Sequence, residues 1–530
     1  MSPTRNPAGS LASAFLLALL ATGCQASPES NRTLTYGLTL APTGIDPHLN
    51  ASSELGIPLS SVYDTLIFQD PESSAFVPGL AKEWTISADG LTYAFVLRED
   101  VVFHDGTPFN AQAVAANFDY ILNPDHHSQK AAFMLGSLAS VETDGEFEVS
   151  LHLHEPYAPL LDSLSQVYLG MASPLALDTW GATEYQFHQV GTGPYRFVEY
   201  VPNDHLTLER NPDYAWAPSV YEADTAAIDR IVFRFYEDAA TRALALQSGE
   251  IDIIGEVPAR DASRLADTGD FTVYPVPIPG QPTQYLFNTQ RPPTDETSVR
   301  QALILGVDRV ALVEAVYGQY SPVAQGPLSA VTWGYTPDTA FPEFDPEQAE
   351  DLLLAAGWQD TDGDGVRQRG NTRFSLHIVA PQWGSNPDVA QLIQAAWVRL
   401  GAEVTLEVAP GFGALKEAQS AGAYNAIGIN FFGMDPDLLR AMFASDGLYA
   451  WTGFADPAVD DLLRRASQLS QDPTRRQELY AEFASLARDQ ALLLPIRDYI
   501  NLVVASNRVQ GLRFSPQGWF PFLVDLRMAP

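Results

Sequence analysis

Strand-like and helix-like stretches alternate along nearly the whole of this chain, with no tandem repeat and no low-complexity block. That alternation restricts the fold to the α/β class. With 530 residues the chain exceeds what one hydrophobic core accommodates, so more than one sheet and at least two lobes are expected. Individual segments are legible. Leu91 to Arg98 alternates as a strand, with Tyr93, Phe95 and Leu97 on one face. Residues 34–40, 147–153, 206–209 and 404–408 also read as strands. Asn110 is placed to cap a helix running through Ala111, Val114 and Phe118. Ala239 to Ser248 reads as a helix stopped by Gly249. Asp345-Pro346-Glu347 opens another, which ends near Gly357-Trp358, and Pro387 to Leu400 is a third, stopped by Gly401.

Apolar residues make up 46% of the chain and charged residues 18%, a balance that fits a folded globular protein and argues against disorder. The formal net charge is −35. Such a surface repels nucleic acid and anionic headgroups, so a nucleic-acid partner is not expected. The single Cys excludes an intramolecular disulfide, a Cys-based metal cluster and CxxC redox chemistry.

That Cys has an informative position. Arg5 gives a weakly basic start, and an apolar run follows from Leu11 to Leu20. The run is short for a membrane-spanning helix and suits the core of a signal peptide. Leu20-Ala21-Thr22-Gly23-Cys24 resembles a bacterial lipobox, with Ala21 where Leu is commonest. The resemblance implies a signal peptide over 1–23, lipidation at Cys24, and a polar tether over 24–31.

Farther along, a set of motifs occurs in a definite order. It comprises Pro78-Gly79-Leu80-Ala81, Asp89-Gly90-Leu91-Thr92-Tyr93, Phe103-His104-Asp105-Gly106-Thr107-Pro108, Gly191-Thr192-Gly193-Pro194-Tyr195 and Arg210-Asn211-Pro212-Asp213-Tyr214. Ser248-Gly249-Glu250-Ile251-Asp252, Phe287-Asn288-Thr289, Val299-Arg300-Gln301-Ala302 and Gly357-Trp358 continue it. The ordered set resembles the signature of the family 5 extracellular solute-binding proteins, the peptide, dipeptide and nickel receptors of bacterial ABC importers. Most of these residues read as fold markers. Gly106 and Gly193 suit turns that need φ > 0 or a close backbone approach, and Asp105 and Asp213 suit side-chain-capped turns.

The resemblance implies an α/β, two-lobed periplasmic-binding-protein fold (class II-like, cluster C), with an extra subdomain in lobe one and an interlobe ligand cleft. Mapped onto this chain, lobe one comprises 32–55, 185–283 and 495–530; the inserted subdomain is 56–184, and lobe two is 284–494. Hinge crossings fall near Gln281 to Tyr285 and Leu494 to Tyr499. A loop of lobe two carries an aromatic and an acidic residue to the ligand in this family. The matching run is Asn430 to Asp437, which offers Phe431, Phe432 and Asp435. Asp435 is read either as a ligand carboxylate or as part of a helix N-cap. Trp383 and Trp451 are further aromatic walls, and Thr43 is the contact expected from lobe one.

Other patterns lead less far. Asp360, Asp362 and Asp364 resemble the start of a calcium loop, but its twelfth position is Asn371 where a bidentate Glu is wanted. His126-His127 and the His152, His154 pair read as surface or structural residues. Nothing resembles a Walker A loop, a nucleophile elbow or an HExxH helix. The expectation is a non-catalytic, monomeric receptor without a cofactor, delivering a solute to the permease subunits of an importer at a membrane reached by a lipid anchor. A peptide is the first expected solute, and a nickel chelate, opine or oligosaccharide is the alternative. An extracellular hydrolase is the rival from another class, and it would need a carboxylate pair in the cleft.

Overall fold

Two large sheets organise the chain. The computed structural model describes residues 32–529 apart from 40, 41, 43 and 51, so Thr43, Cys24 and the segments 1–23 and 24–31 lie outside the described residues. A seven-stranded mixed sheet contains Thr33–Leu38, Tyr195–Val201, His205–Arg210, Arg230–Phe235, Ile253–Ile254, Phe271–Pro277 and Ile500–Ser506. A five-stranded sheet contains Thr283–Phe287, Ser375–Pro381, Glu403–Ala409, Ala426–Gly428 and Leu493–Arg497. The chain passes between them twice, through residues 278–282 and 498–499. These two groups are the lobes, and the cleft lies between them.

The pattern of each strand follows from its surroundings. Thr283–Phe287 and Leu493–Arg497 are buried along their whole length, so neither alternates. Thr92–Leu97 belongs to a separate four-stranded antiparallel sheet with Ala81–Ile86, Leu138–Thr143 and Glu148–Leu153. One face of that sheet packs inward, and Tyr93, Phe95 and Leu97 are fully buried on it. Helix Ala111–Leu122 packs beside it, with the Asn110 side chain accepting the Ala113 N–H at 3.0 Å. This four-stranded unit has no core of its own. Its buried residues are continuous with those of the seven-stranded lobe, while the five-stranded lobe has a separate core.

The helix limits have local causes. Asp238 caps Ala239–Ser248 through the Thr241 N–H, and Gly249 stops it at φ 78°. Asp345 caps Pro346–Ala355 through the Gln348 N–H. Among the motif residues, Gly106 adopts φ 83°. Gly193 is required by close approach instead: a Cβ there would stand 2.4 Å from the Ser61 carbonyl oxygen. Asp105 caps its own turn by accepting the Thr107 N–H at 3.0 Å. Asp213 does not. Asn211 accepts the Asp213 N–H, and the Asp213 carboxylate takes Arg196 at 2.6 Å.

The lobes touch at a place remote in sequence from both crossings. The Ala158 N–H donates to the Ser467 carbonyl at 2.8 Å, and the Tyr93 hydroxyl to Ser470 Oγ at 3.0 Å. Gln471 Nε2 donates to the carbonyls of Ile86 and Ser87, each at 3.1 Å. Among the described residues, no helix is long and apolar enough to cross a membrane.

Candidate functional site: the interlobe cleft

The loop after Ala426–Gly428 is joined to the first crossing. The Gln281 N–H donates to the Phe431 carbonyl at 2.8 Å, and the Phe431 N–H donates to Gln281 Oε1 at 3.1 Å. The Gly433 N–H donates to the Pro279 carbonyl at 3.2 Å. Gly280, at φ 121°, bridges to Phe432, and a Cβ there would stand 2.6 Å from the Phe431 oxygen. Only glycine permits this approach.

Phe432 is thereby presented to the other lobe. It is 37% exposed. Its ring centroid lies 4.8 Å from Tyr499 and 5.4 Å from Trp519. Phe431 turns the other way and meets Tyr449 at 4.4 Å. Phe412 follows, 6.2 Å from both Tyr449 and Trp451. The result is two groups of rings, Phe432 with Tyr499 and Trp519 across the lobes and Phe431 with Tyr449, Phe412 and Trp451 inside lobe two. Trp451 is 3% exposed, so it underlies the second group and is not an open wall. Trp383 is 42% exposed beyond the end of strand Ser375–Pro381, without a ring contact among the described residues. Tyr499, Trp519, Tyr449 and Phe412 were not legible as site residues. The run Gly518-Trp519-Phe520-Pro521-Phe522 is the one sequence signal that marks the C-terminal contribution.

Asp435 is engaged inside lobe two. Its two oxygens accept from Arg476 at 2.6 and 2.7 Å, and Oδ1 also accepts the Asp437 N–H at 2.9 Å. Arg476 is almost wholly buried and also donates to the Ala466 carbonyl and the Tyr480 hydroxyl. Burial alone would lower the Arg476 pKa; Asp435, with Tyr480 and Asp437, more than offsets that and raises it. The following helix, Leu438–Phe443, has Asp437 at its N-cap position with no side-chain cap bond; Asp437 instead pairs with Arg440.

Asp162 of lobe one lies within electrostatic reach of the Asp435–Arg476 pair. Asp162 is 8% exposed. Its Oδ2 accepts from Gln166 at 3.0 Å, while Oδ1 has no hydrogen-bond partner. Burial pushes the carboxyl up to about 7, Asp435 adds to the effect, and Gln166, Arg476 and Lys130 oppose it. Lys130 is half-buried, with its ammonium 3.7 Å above the Tyr168 ring. Burial draws it down to about 8, against the opposing charge of Asp162.

Asp360, Asp362 and Asp364 lie away from this region on an exposed turn, with oxygens within 4.8 Å of one another. Asp360 accepts the N–H groups of Gly363 and Gly365, and Asp364 accepts the Val366 N–H and pairs with Arg373 at 2.7 Å. They organise the turn. His126 Nδ1 lies 2.8 Å from the Tyr120 carbonyl, and His152 faces Glu142 at 3.2 Å.

Comparison with known proteins is consistent with this architecture. The model of bacterial extracellular solute-binding proteins, family 5 Middle, matches residues 75–450. The chain is 31% identical to heme-binding protein A of Haemophilus influenzae, over 94% of this chain and 93% of that protein. It is 27% identical to the dipeptide-binding protein of Escherichia coli, over 95% and 96% respectively. Its fold is similar to that of NikA from Brucella suis in complex with Fe(III)-EDTA, with a TM-score of 0.84, 24% identity, and coverage of 94% of this chain and 100% of that one.

Proposed function

Because the chain belongs to the family 5 bacterial extracellular solute-binding proteins and is the substrate-binding component of an ABC importer, we propose that its solute is a peptide enclosed between the two lobes. It is a transport receptor and catalyses no reaction. Members of the family work outside the cytoplasm with ABC permease and ATPase subunits. The observation that carries the peptide reading is the ring group of Phe432, Tyr499 and Trp519 drawn from both lobes, which supplies apolar area for side chains. The relative named as a dipeptide-binding protein, matched over nearly its whole length, supports the same reading.

Phe431 and Phe432 are the ring contacts this reading assigns, with Thr43 entering from lobe one and Trp383 at the rim. Asp435 acts through Arg476 by fixing the loop. The lobe limits at residues 55, 184, 283 and 494 belong to the same reading, with 278–282 and 498–499 as the hinge. The lipobox-like run ending at Cys24 supports a protein held at the membrane by lipid, and the same reading takes it to be a monomer.

A second reading rests on the same rings: a flat chelate stacked on Phe432 and Trp519. The relative named for heme favours it. One experiment separates the two. The protein made without residues 1–24 is purified undenatured, its bound solute is released by acid, and the extract is read by mass spectrometry. Peptides are expected. Recovery of a metal chelate or a sugar in their place would sink the peptide reading.

A further inference from the structure

A cavity of about 50 Å³ lies apart from the interlobe cleft, and no residue between 284 and 494 lines it. One wall is formed by residues 60–69 with Ser165 and Val167, the other by the C-terminal loop 515–522. Tyr221 joins the walls, its ring centroid 6.0 Å from Phe68 on one and 5.6 Å from Phe522 on the other. The space is built, because main-chain structure holds the loop in place. The Ser515 N–H donates to the Phe520 carbonyl and the Gly518 N–H to the Ser515 carbonyl, each at 2.8 Å. Gly518 has φ 73°, and a Cβ there would stand 2.4 Å from the Pro277 oxygen. Trp519 leaves the same loop to meet Phe432 and Tyr499, so the loop borders the cavity and the cleft alike.

The chemistry of the lining restricts the occupant. Gln69 and Ser515, on opposite walls, each carry a buried side-chain oxygen with no hydrogen-bond partner, Gln69 Oε1 and Ser515 Oγ. Gln69 Nε2 donates to the Ser74 carbonyl at 3.1 Å, which fixes the amide and leaves its oxygen as an acceptor awaiting a donor. The Ser515 hydroxyl can donate or accept. No charged side chain lines the space. The adjacent carboxylates are engaged: Asp64 accepts from Thr192, Tyr214 and Trp216, and Asp70 from Ser73. An ion placed there would go unpaired. The Phe68, Tyr221, Phe520 and Phe522 rings offer apolar faces to a carbon skeleton. The volume holds about four water-sized groups, too few for a peptide. Ser60, Phe68, Ser165, Tyr221 and Gln517 are only partly buried, so the cavity is reached from solvent.

We propose that this cavity is a second binding site, for a small uncharged polyol that donates a hydroxyl to Gln69 Oε1 and exchanges a hydrogen bond with Ser515 Oγ. It is independent of which solute the cleft takes.

The test is a saturation-transfer NMR titration with glycerol of protein made without residues 1–24. The variants are Ser515→Ala, Gln69→Met, the cavity-filling Ser60→Leu, and Phe432→Ala in the cleft. Thermal midpoints show that each is folded. Wild type is expected to bind glycerol saturably at millimolar concentration, as befits a molecule of so few atoms. Ethylene glycol should compete, and mannitol, glycine and glycerate should not. Ser515→Ala, Gln69→Met and Ser60→Leu should each weaken glycerol binding at least fivefold, and Phe432→Ala should leave it unchanged. A wild-type signal that rises without saturating would overturn the site, as would saturable binding that survives the three cavity substitutions. Binding lost in Phe432→Ala alone would assign the polyol to the cleft and overturn the site as well. Competition by glycine or glycerate would overturn the uncharged class.

Discussion

Arg476 tolerates its burial because its hydrogen-bonding nitrogens meet matched acceptors: Asp435, the Ala466 carbonyl and the Tyr480 hydroxyl. Such a pair adds modestly to stability over an apolar substitute, yet breaking one side is expensive. Asp435→Ala is therefore expected to cost about 3–5 kcal/mol in denaturant-induced unfolding. A ligand-only carboxylate would leave the solute-free protein unchanged. Three of the buried carboxyls that burial raises illustrate one part of the response to pH. Asp162 is pushed up to about 7, and Asp64 and Asp498 to about 6, in each case by burial first. Their native pKa values lie above the unfolded ones, so the native state binds more protons between about pH 4 and 7. The stability they contribute is complete below the unfolded value and is lost as pH rises through the native one. Solute-free protein should thus lose stability from about pH 4 to 7 through these groups, and Asp162→Asn should flatten the slope in urea titrations across that range.

Among the elements, the loop after strand Ala426–Gly428 and the crossing at 278–282 behave as one piece. Their main-chain bonds and the Gly280 contact tie the position of Phe432 to the hinge. Gly280→Ala adds a Cβ where φ is 121° and the loop backbone is 2.6 Å away. The expected cost is about 1–3 kcal/mol in stability, together with weaker solute binding, because the loop must retreat. Calorimetric titration beside urea unfolding would register both. At helix starts the effects are smaller. Asp238→Ala removes the bond to the Thr241 N–H and should cost about 1 kcal/mol. Such caps were readable in sequence because they are local: the acceptor and the N–H it takes are three residues apart. The fully buried strands of the five-stranded sheet were harder to type, since a strand covered on both faces loses the alternation that marks one.

At the level of the whole molecule, the two lobes are held by the crossings at one place and by contacts such as Gln471 with Ile86 and Ser87 at another. Only the second set can be given up without unfolding. Gln471→Ala combined with Tyr93→Phe should raise the open fraction, seen as a larger radius of gyration in solution scattering without solute, and solute should restore the compact value. Cys24→Ala is expected to abolish retention in the membrane fraction of cells while leaving solute binding intact; unchanged retention would dismiss the anchor.

The chain order alone determined the α/β class, the helix limits at Asn110, Asp238, Gly249 and Asp345, and the family, because each depends on neighbours in sequence or on motifs in a set order. The acidic loop was legible as a place but not as a chemistry. Whether Asp435 is free depends on Arg476, 41 residues away, and Arg476 lies in a helix with its own ordinary pattern. Asp162 and Lys130 carried no signal, since a carboxylate without a partner and a lysine above a ring are conditions of packing and not of order. The rings of Phe432, Tyr499 and Trp519 come from both lobes, so no local periodicity unites them. Only the tertiary structure brings them to one cleft, because burial and electrostatic reach are properties of distance in space.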